Sequence, residues 1–441
     1  MEPVEESRFG DGEIEALFAP LRTAISVALA VSGGPDSVAL LLLVRRWRDL
    51  GGPRPAVHVL TVDHRLHPRS ADDAAFVAGL AERCGFPARI LVREGPAPAS
   101  GIEAAARSAR YRLLTEAARA LGASHIVLAH HRDDQAETFL MRLAGGSGVH
   151  GLGAMRPMSA RDGVLLFRPF LDIPKARLAA VVQDAGLEAV DDPANRDPRF
   201  LRTKLRALMP ELARAGLGPQ RLAEFAREMA GIADAIDTQA SALLRGAAAV
   251  DAFAVVRLAV RDYGDAPEAV RKRALVRLLQ AIGGGHYPPR GERLAALDRA
   301  LSERGAVRFR RTLAGAVVER AGETALLYRE IGRAGLPVVA VEGAFEGVWD
   351  RRFHLAIRYS GGAHLAIGPL GIAGTRKTRG IPPGLPRGAF AALPAVRRGE
   401  KLVAVPVLDG GRGPGGNVDI AARSLLGMRV FGPTTAGATA G

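Results

Sequence analysis

The sequence has almost no cysteine: among its 441 residues there is one, Cys84. A single thiol excludes an intrachain disulfide, a CxxC redox pair and a zinc site built from thiolates. Long hydrophobic runs are missing too, since the longest, residues 38–44, is far below the ~20 residues that a membrane-spanning helix requires. We therefore interpret Cys84 as a small buried side chain and residues 38–44 as part of a buried helix.

The first twenty residues lack the features of a secretory signal peptide. They carry six acidic side chains and no apolar segment flanked by basic residues. We therefore expect a cytoplasmic protein that does not associate with a membrane.

The first part of the chain has no excess of positive charge, whereas the second part has a large one. The net charge of +14 divides into −1 for residues 1–200 and +15 for residues 201–441. A neutral part joined to a strongly basic part suggests chemistry in the first and a polyanion bound by the second. A general preference for arginine on a solvated surface is the alternative, so charge alone leaves nucleic-acid binding undecided.

Short apolar runs alternate with helical patterns in the first part of the chain. We predict strands at residues 24–31, 56–62, 88–92 and 125–129, and helices at residues 36–48, 70–84 and 102–121. Continuous apolar strands separated by helices indicate an α/β fold with a doubly wound parallel sheet. Ligands of such sheets bind beyond the carboxyl ends of the strands.

After about residue 210 this alternation stops. We predict helices at residues 217–244, 266–281 and 290–301, two or three short strands within residues 306–328, and short β-like segments after residue 335. The predicted domains are a catalytic domain (residues 1–210), a mostly helical domain (211–332), a small α+β domain (333–431) and a disordered tail (432–441).

The first predicted strand runs into residues 32–37, SGGPDS, which open a helix. Gly33 and Gly34 let the backbone approach a ligand closely, and the helix N-terminus offers free N–H groups to an anion. The segment has no lysine, so it is not a Walker A loop, and it fits a nucleotide that loses pyrophosphate better than γ-phosphoryl transfer. A capping role is the structural alternative for Asp36.

Two further polar groups fall near the predicted ligand edge. Asp63 and His64 end the second strand, where a turn role for Asp63 carries about the same weight as ligand binding. Arg107 and Arg110 lie about one turn apart on the helix at residues 102–121, where a surface ion pair with Glu103 is the structural alternative.

The fourth strand ends in two adjacent histidines, followed by three carboxylates at the start of a helix. We expect Asp133, Asp134 and Glu137 to lie at an exposed first turn, where the helix dipole favours negative charge. His130 and His131 point to opposite faces as neighbours in an extended chain, which argues against one metal site that uses both.

These motifs together resemble the PP-loop ATP pyrophosphatase superfamily and, within it, the tRNA(Ile)-lysidine synthetases. The matching segments are SGGPDS (32–37), VDHRLHPRS (62–70), EAAARSARY (103–111), HHRDDQAET (130–138), GGSGVHGLGAM (145–155), RPFL (168–171) and DPANRDPRFLRTKLR (192–206). Two positions differ from the family pattern, since His67 and Gly145 stand where arginine is common. The resemblance is strong over residues 24–210 and weaker beyond them.

The resemblance implies a ligase that uses ATP with Mg²⁺ to adenylate C2 of the wobble cytidine in tRNA(Ile) with the anticodon CAU. L-lysine then replaces AMP to form lysidine, which changes the codon read from AUG to AUA. A tRNA thiolase of the same superfamily, which generally uses paired cysteines, and a non-catalytic RNA-binding protein are the alternatives. The oligomeric state is not fixed by the sequence, and a homodimer is among the states that it permits.

The resemblance also implies roles for individual residues. The implied contacts to ATP are Ser32, Gly33, Gly34, Pro35, Asp36, Ser37, Asp63 and His64, with Asp36 as the Mg²⁺ ligand. The implied catalytic or lysine-binding residues are Asp36, His131, Asp133, Asp134 and Glu137. The implied RNA contacts are Arg107, Arg110, Asn195, Arg202 and Arg206, and the resemblance implies that the domains at residues 211–332 and 333–431 also contact tRNA.

Overall fold

A computed structural model describes residues 8–65, 68–94, 102–190, 201–285, 289, 291–305, 307–359, 364–378, 382, 384–409 and 418–432. The chain divides into two compact units, Met1–Ala233 and Asp234–Gly441. None of the helices in the described ranges combines the length and the apolar composition needed to cross a bilayer.

The first unit contains a six-stranded sheet with the strand order β3-β2-β1-β4-β6-β5. The strands are β1 Ser26–Ala30, β2 Ala56–Asp63, β3 Ala88–Val92, β4 His125–Val127, β5 Met158–Arg161 and β6 Val164–Phe167. All neighbours are parallel except β5, which pairs antiparallel with β6 at one edge. The four predicted strands are confirmed, whereas the short β5–β6 hairpin was not predicted.

Helices cover both faces of this sheet. The helices of the first unit before α9 are α1 Asp11–Phe18, α2 Pro35–Asp49, α3 Ser70–Arg83, α4 Ile102–Ala120, α5 Arg132–Ala144, α6 Val149–Leu152, α7 Lys175–Asp184 and α8 Leu201–Arg214, with a 3-10 turn at Ala19–Leu21. In β1, Val27 and Leu29 enter the core that contains α2, while Ala28 enters the core that contains α4. This alternation explains why β1 is buried throughout its length and confirms the doubly wound α/β fold.

The second unit combines helices with three antiparallel sheets, and the boundary between the units falls within the residues of helix α9, Pro219–Ala247. The sheets are β7-β8-β11-β10-β9, β12-β15-β16-β17 and β13-β14-β18. Their strands are β7 Ala248–Val250, β8 Val256–Ala259, β9 Arg308–Leu313, β10 Ala316–Ala321, β11 Thr324–Arg329, β12 Val339–Val341, β13 Ala344–Trp349, β14 Phe353–Tyr359, β15 Leu365–Pro369, β16 Pro394–Arg398, β17 Lys401–Ala404 and β18 Val418–Ser424.

The remaining helices of the second unit pack against these sheets. They are α10 Val260–Asp265, α11 Glu268–Gly283, α12 Gly291–Ser302, α13 Gly371–Lys377, α14 Arg387–Ala391 and α15 Leu426–Phe431. One hydrophobic core extends along the chain from Ala240 to Val430. The predicted boundaries at residues 210 and 332 stay predictions, and the predicted tail lies outside the described residues except for Gly432.

Candidate active site

Residues 32–37 connect β1 to α2 in a loop that is closed by its own hydrogen bonds. The backbone N–H of Ser32 donates to Ser37 Oγ at 3.1 Å, and Ser37 Oγ donates to the Gly34 carbonyl at 2.9 Å. Gly33 has a φ of +90°, and a Cβ at this position would lie 2.8 Å from Cγ2 of Val190, so glycine is required. Because α2 begins at Pro35, the loop and the free amides of the helix N-terminus form a cradle suited to an anion.

Asp36 lies in the first turn of α2 and has one carboxylate oxygen without a partner. Its Oδ2 lies 3.4 Å from Nε2 of His131. Its Oδ1 is buried and forms no hydrogen bond to any described residue. A buried acceptor without a partner is unfavourable, so this oxygen is poised for a ligand.

His131 connects this loop to α5. It is the N-cap of α5, and its backbone N–H donates to Asp134 Oδ2 at 3.1 Å. The side chain is buried, with Nε2 3.5 Å from Asp134 Oδ2 and Nδ1 3.6 Å from Asp133 Oδ2. Burial by itself lowers the pKa of His131, but hydrogen bonds to Asp133 and Asp36 and the charge of Asp134 raise it to about 9.

The raised pKa makes His131 an imidazolium at neutral pH. The Asp134 amide lies 3.4 Å from Nδ1, a long contact that only the neutral ring could accept, so the charged ring donates towards Asp133 instead. Burial raises the pKa of Asp133, but His131 and the backbone N–H of Lys175, 3.0 Å from Asp133 Oδ2, lower it to about 2. The loop and α5 are thus joined by one cation shared among three carboxylates.

His130 lies in the opposite electrostatic environment. Burial holds the pKa of His130 well below its usual range, and positive charge lowers it further. The contributing cations are Arg168, Arg110, Arg107 and Arg202. The two adjacent histidines therefore differ in charge at neutral pH, because their side chains enter different surroundings.

Glu137 is buried, so the expectation that it lies at an exposed first turn is wrong. Helix α8 packs on this turn, where Arg206 Nε donates to Glu137 Oε1 at 2.8 Å and Arg202 Nε donates to Glu137 Oε2 at 2.5 Å. Arg202 also donates through Nη2 to Asp134 Oδ1 at 2.7 Å. The periodicity of α5 could not reveal this, because Arg202 lies 65 positions further along the chain.

These ion pairs determine the charge of the carboxylates on α5. Burial raises the pKa of Glu137, but the hydrogen bonds of Arg206 and the charge of Arg202 lower it overall, so Glu137 is ionised. The guanidinium groups of Arg202 and Arg206 bind carboxylates here, and their contact with RNA stays a prediction. Carboxylates of α5 and guanidinium groups of α8 therefore lie side by side where the two helices meet.

An arginine cluster lies beside α4. The Tyr111 ring packs between Arg107 and Arg161, whose guanidinium carbons lie 5.2 Å and 4.4 Å from the ring centroid. Burial lowers the pKa of Arg110 and of Arg168. Arg107, Arg110 and Arg168 form no ion pair with any carboxylate whose side chain the structure describes, which supports the prediction that Arg107 and Arg110 bind phosphate; the side chain of Glu103 lies outside the described part of the chain. Arg161 and Arg168 were not predicted as site residues.

The side chain of Asp63 stabilises the turn that follows β2, which was one of the two roles that the sequence left open. Its Oδ1 accepts the backbone N–H of Arg65 at 2.9 Å, where Arg65 has a positive φ of 51°. Nucleotide contacts of Asp63 and His64 stay predictions. Asn195 lies outside the described residues.

The sequence prediction missed Gln135, which fixes the glycine-rich segment at residues 145–155. Its side-chain amide donates to the Met155 carbonyl and accepts the Met155 N–H, each at 2.8 Å. Arg142 adds hydrogen bonds from Nη1 to the carbonyls of Gly151 (2.6 Å) and Ala154 (3.0 Å). The one sequence signal for Gln135 is its position within the segment HHRDDQAET. Residue spacing could not identify Met155 as the partner of its amide.

Known proteins resemble this chain over most of its length. Residues 10–212 match a family model described as a PP-loop domain. A tRNA(Ile)-lysidine synthase of Rhodopseudomonas palustris is 42% identical over 332 residues, which cover 73% of this chain and 96% of the relative. One of Bradyrhizobium sp. is 44% identical, with 70% and 91% covered, and one of Ruegeria pomeroyi is 37% identical, with 86% and 88% covered.

Proposed function

The chain belongs to the tRNA(Ile)-lysidine synthase family, and on this premise we propose that it adenylates C2 of the wobble cytidine in tRNA(Ile) with ATP and attaches L-lysine there. The observation that best supports this proposal is the position of His131. This cation lies between Asp36 of the loop at residues 32–37 and the carboxylates Asp133 and Asp134 of α5, at one edge of the sheet. This edge is where a parallel sheet binds its ligands.

The first step makes the cytidine oxygen a leaving group. The C2 oxygen attacks the α-phosphorus of ATP, the bond to the β-phosphate breaks, and pyrophosphate leaves. The departing pyrophosphate would be held by residues 32–37 and by the N-terminal amides of α2, because their N–H groups can donate hydrogen bonds to it. The arginine cluster around Tyr111 would stabilise further phosphate charge.

Asp36 fits a Mg²⁺ ligand because its buried Oδ1 has no partner within the described ranges. Those ranges contain no group of three or more His, Cys, Asp or Glu side chains that could hold a metal ion. This agrees with the way Mg²⁺ is usually bound, through one or two carboxylates together with substrate phosphates and water. When bound, Mg²⁺ would neutralise negative charge on the phosphates.

The second step requires an unprotonated amine. Free lysine has an ε-amine pKa near ~10.4, so the ammonium must lose a proton before the amine displaces AMP from C2. His131 is already protonated at neutral pH and the pKa of Asp133 is about 2, so neither is an effective base in the ligand-free protein. Their proposed role is to orient Asp36 and the first turn of α5.

The charges on α5 and α8 match an amino acid. Asp134 is a carboxylate suited to an α-ammonium, and the adjacent guanidinium groups of Arg202 and Arg206, which Glu137 holds in place, suit an α-carboxylate. Lysine bound by these two groups would keep its ε-amine free to attack. We place the reaction in the cytoplasm, where its tRNA substrate is used.

Incorporation of labelled lysine into a tRNA(Ile) transcript, measured beside pyrophosphate release, tests the proposal. Product formation is expected to need ATP, lysine and this tRNA together, and a tRNA(Met) transcript serves as the control. Asp36→Asn is expected to lower kcat by about 100-fold, as for other lost electrostatic contacts to a transition state. Lysine-independent modification of the tRNA would contradict the proposal. The thiolase alternative gains no support, since the one cysteine, Cys84, is buried.

A further inference from the structure

The five-stranded sheet of the second unit has one face that is only half covered. Val256, Leu258, Val318 and Leu327 point into the main core of the unit. On the opposite face, Val255, Val317 and Tyr328 pack against Ala389 of α14. The rest of that face, towards Arg257 and Thr324, is exposed. An antiparallel sheet can have one face in contact with solvent, so the exposed half of this face does not have to be apolar.

The exposed half carries three arginines and one carboxylate. Arg257, Leu326, Glu319 and Arg310 occupy one row across β8, β11, β10 and β9, and Arg308 lies two residues from Arg310 on β9. With strands about 4.8 Å apart, Arg257 and Arg310 are about 14 Å from each other, and Arg308 and Arg310 are about 7 Å apart. These side chains border an open groove of about 550 Å³. We call this surface the arginine face.

The carboxylate on the arginine face is already neutralised. Arg310 Nε lies 2.7 Å from Glu319 Oε1, which also accepts the Tyr328 hydroxyl at 2.7 Å. Arg257 and Arg308 are exposed and have no carboxylate partner within the described part of the chain. The face therefore has a net positive charge with two guanidinium groups free to bind an anion.

We propose that the arginine face binds the sugar–phosphate backbone of RNA. Arginine matches phosphate through paired N–H donors, and several guanidinium groups spaced along an open groove suit a repeating polyanion better than one small anion. The proposal rests on the proposed function, which supplies a tRNA substrate, and it goes further by assigning the surface.

The arginine face is also expected to bind without regard to base sequence. Its lining contains no asparagine or glutamine, and Thr324 is the single uncharged hydrogen-bonding side chain on it. Phosphate contacts position a nucleic acid but carry no sequence information, which is read from base edges. This face therefore contributes equally to the binding of tRNA(Ile) and tRNA(Met), and discrimination between them lies elsewhere.

The test measures tRNA affinity of the full chain against salt concentration. Arg257→Ala/Arg308→Ala is expected to weaken binding of both tRNAs about 10-fold at low salt and to reduce the slope of log K against log salt by about 1.5, the value for two lost phosphate contacts. The kcat at saturating tRNA and the KM for ATP and lysine should stay unchanged. Arg257→Lys/Arg308→Lys keeps the charge and is expected to retain most of the slope.

A matched control removes the same charge elsewhere in the second unit. Arg261 and Arg304 are exposed and share their surroundings with Asp265, Glu303 and Glu323. An equal loss of slope in Arg261→Ala/Arg304→Ala, or an unchanged slope in the arginine-face variant, would overturn the proposal. If wild-type protein attached no lysine yet the arginine-face variant still lost slope, the proposed function would fail and the RNA surface would stand.

Discussion

At the scale of single residues, charge at the candidate site is decided by position rather than by residue type. His130 and His131 are adjacent and chemically identical, yet burial among arginines keeps one neutral and three carboxylates keep the other protonated. Asp133 is held ionised by the same cation. The acid–base properties of this edge therefore belong to the cluster as a whole.

The first prediction concerns the pH dependence of stability. The pKa of His131 is raised from 6.5 to about 9 in the folded protein, so its stabilising effect is full below pH 6.5 and is lost as the pH rises through 9. We expect the free energy of unfolding to fall between these values more in wild type than in His131→Gln. Denaturant unfolding without Mg²⁺ or nucleotide measures this, and parallel profiles for the two proteins would contradict it.

The second prediction compares two adjacent glycines in the loop. Gly33→Ala should lower the free energy of unfolding by about 1–3 kcal/mol, because alanine is strained at a φ of +90° and its Cβ meets Val190. Gly34→Ala is the control, since Gly34 has a φ of −65° and its nearest contact is Ser32 Oγ at 3.8 Å. We expect it to change stability by less than about 1 kcal/mol. Urea unfolding of the ligand-free proteins distinguishes them, and equal effects would argue against the strain at Gly33.

At the scale of elements, α8 is attached to α5 by charge more than by apolar contact. No residue of α8 is fully buried, and Leu201 and Leu208 are exposed. Arg202 and Arg206 instead insert beside Glu137, which is almost completely inaccessible to solvent. A helix held in this way depends on Glu137, which binds both arginines, and on Asp134 as a second partner of Arg202.

The third prediction follows from this attachment. Glu137→Ala leaves Arg206 without a carboxylate and Arg202 with Asp134 alone, so we expect the free energy of unfolding to fall by about 3 kcal/mol and hydrogen exchange across residues 201–214 to become faster. Mass spectrometry of peptides from α8 measures the exchange. Glu211→Ala on the same helix is the control, because its pair with Arg214 is exposed and should contribute less than about 1 kcal/mol. Unchanged exchange in Glu137→Ala would show that other contacts hold the helix.

At the scale of the whole molecule, each unit contains its own buried tryptophan. The sequence has two tryptophans, and Trp47 and Trp349 are fully buried in the first and second unit, respectively. The second unit also buries Asp298, which accepts the Tyr263 hydroxyl at 2.7 Å and binds Arg271 at 3.1 Å and 3.2 Å. Fluorescence can therefore follow the two units separately.

The fourth prediction uses these reporters. Asp298→Ala should destabilise the second unit by about 2–3 kcal/mol, because it removes the buried carboxylate that binds the Arg271 guanidinium and the buried Tyr263 hydroxyl. We expect the Trp349 transition, followed in a Trp47→Phe background, to shift to lower denaturant, while the Trp47 transition in a Trp349→Phe background stays in place. Asp265→Ala, which removes an exposed pair with Arg304, is the control. Equal shifts of both transitions would show that the units unfold together.

The sequence by itself determined strands β1 to β4, the helices between them and the position of the loop predicted to bind an anion. The apolar periods of β1 to β4 and the glycines of SGGPDS act locally, through backbone sterics and burial, so they can be read from neighbouring residues. The order of the motifs also predicted the family, which the relatives confirm. The β5–β6 hairpin was not predicted, because β5, Met158–Arg161, has no apolar run that would mark a strand.

Only the tertiary structure decided which charges meet. The burial of Glu137 depends on Arg202 and Arg206, and the protonation of His131 depends on Asp36, nearly a hundred positions earlier in the chain. The arginine face likewise exists because antiparallel pairing aligns Arg257 with Arg310 across two other strands. Coulomb interactions act over a few ångströms in space and are indifferent to sequence separation, so the fold had to be known before these charges could be paired.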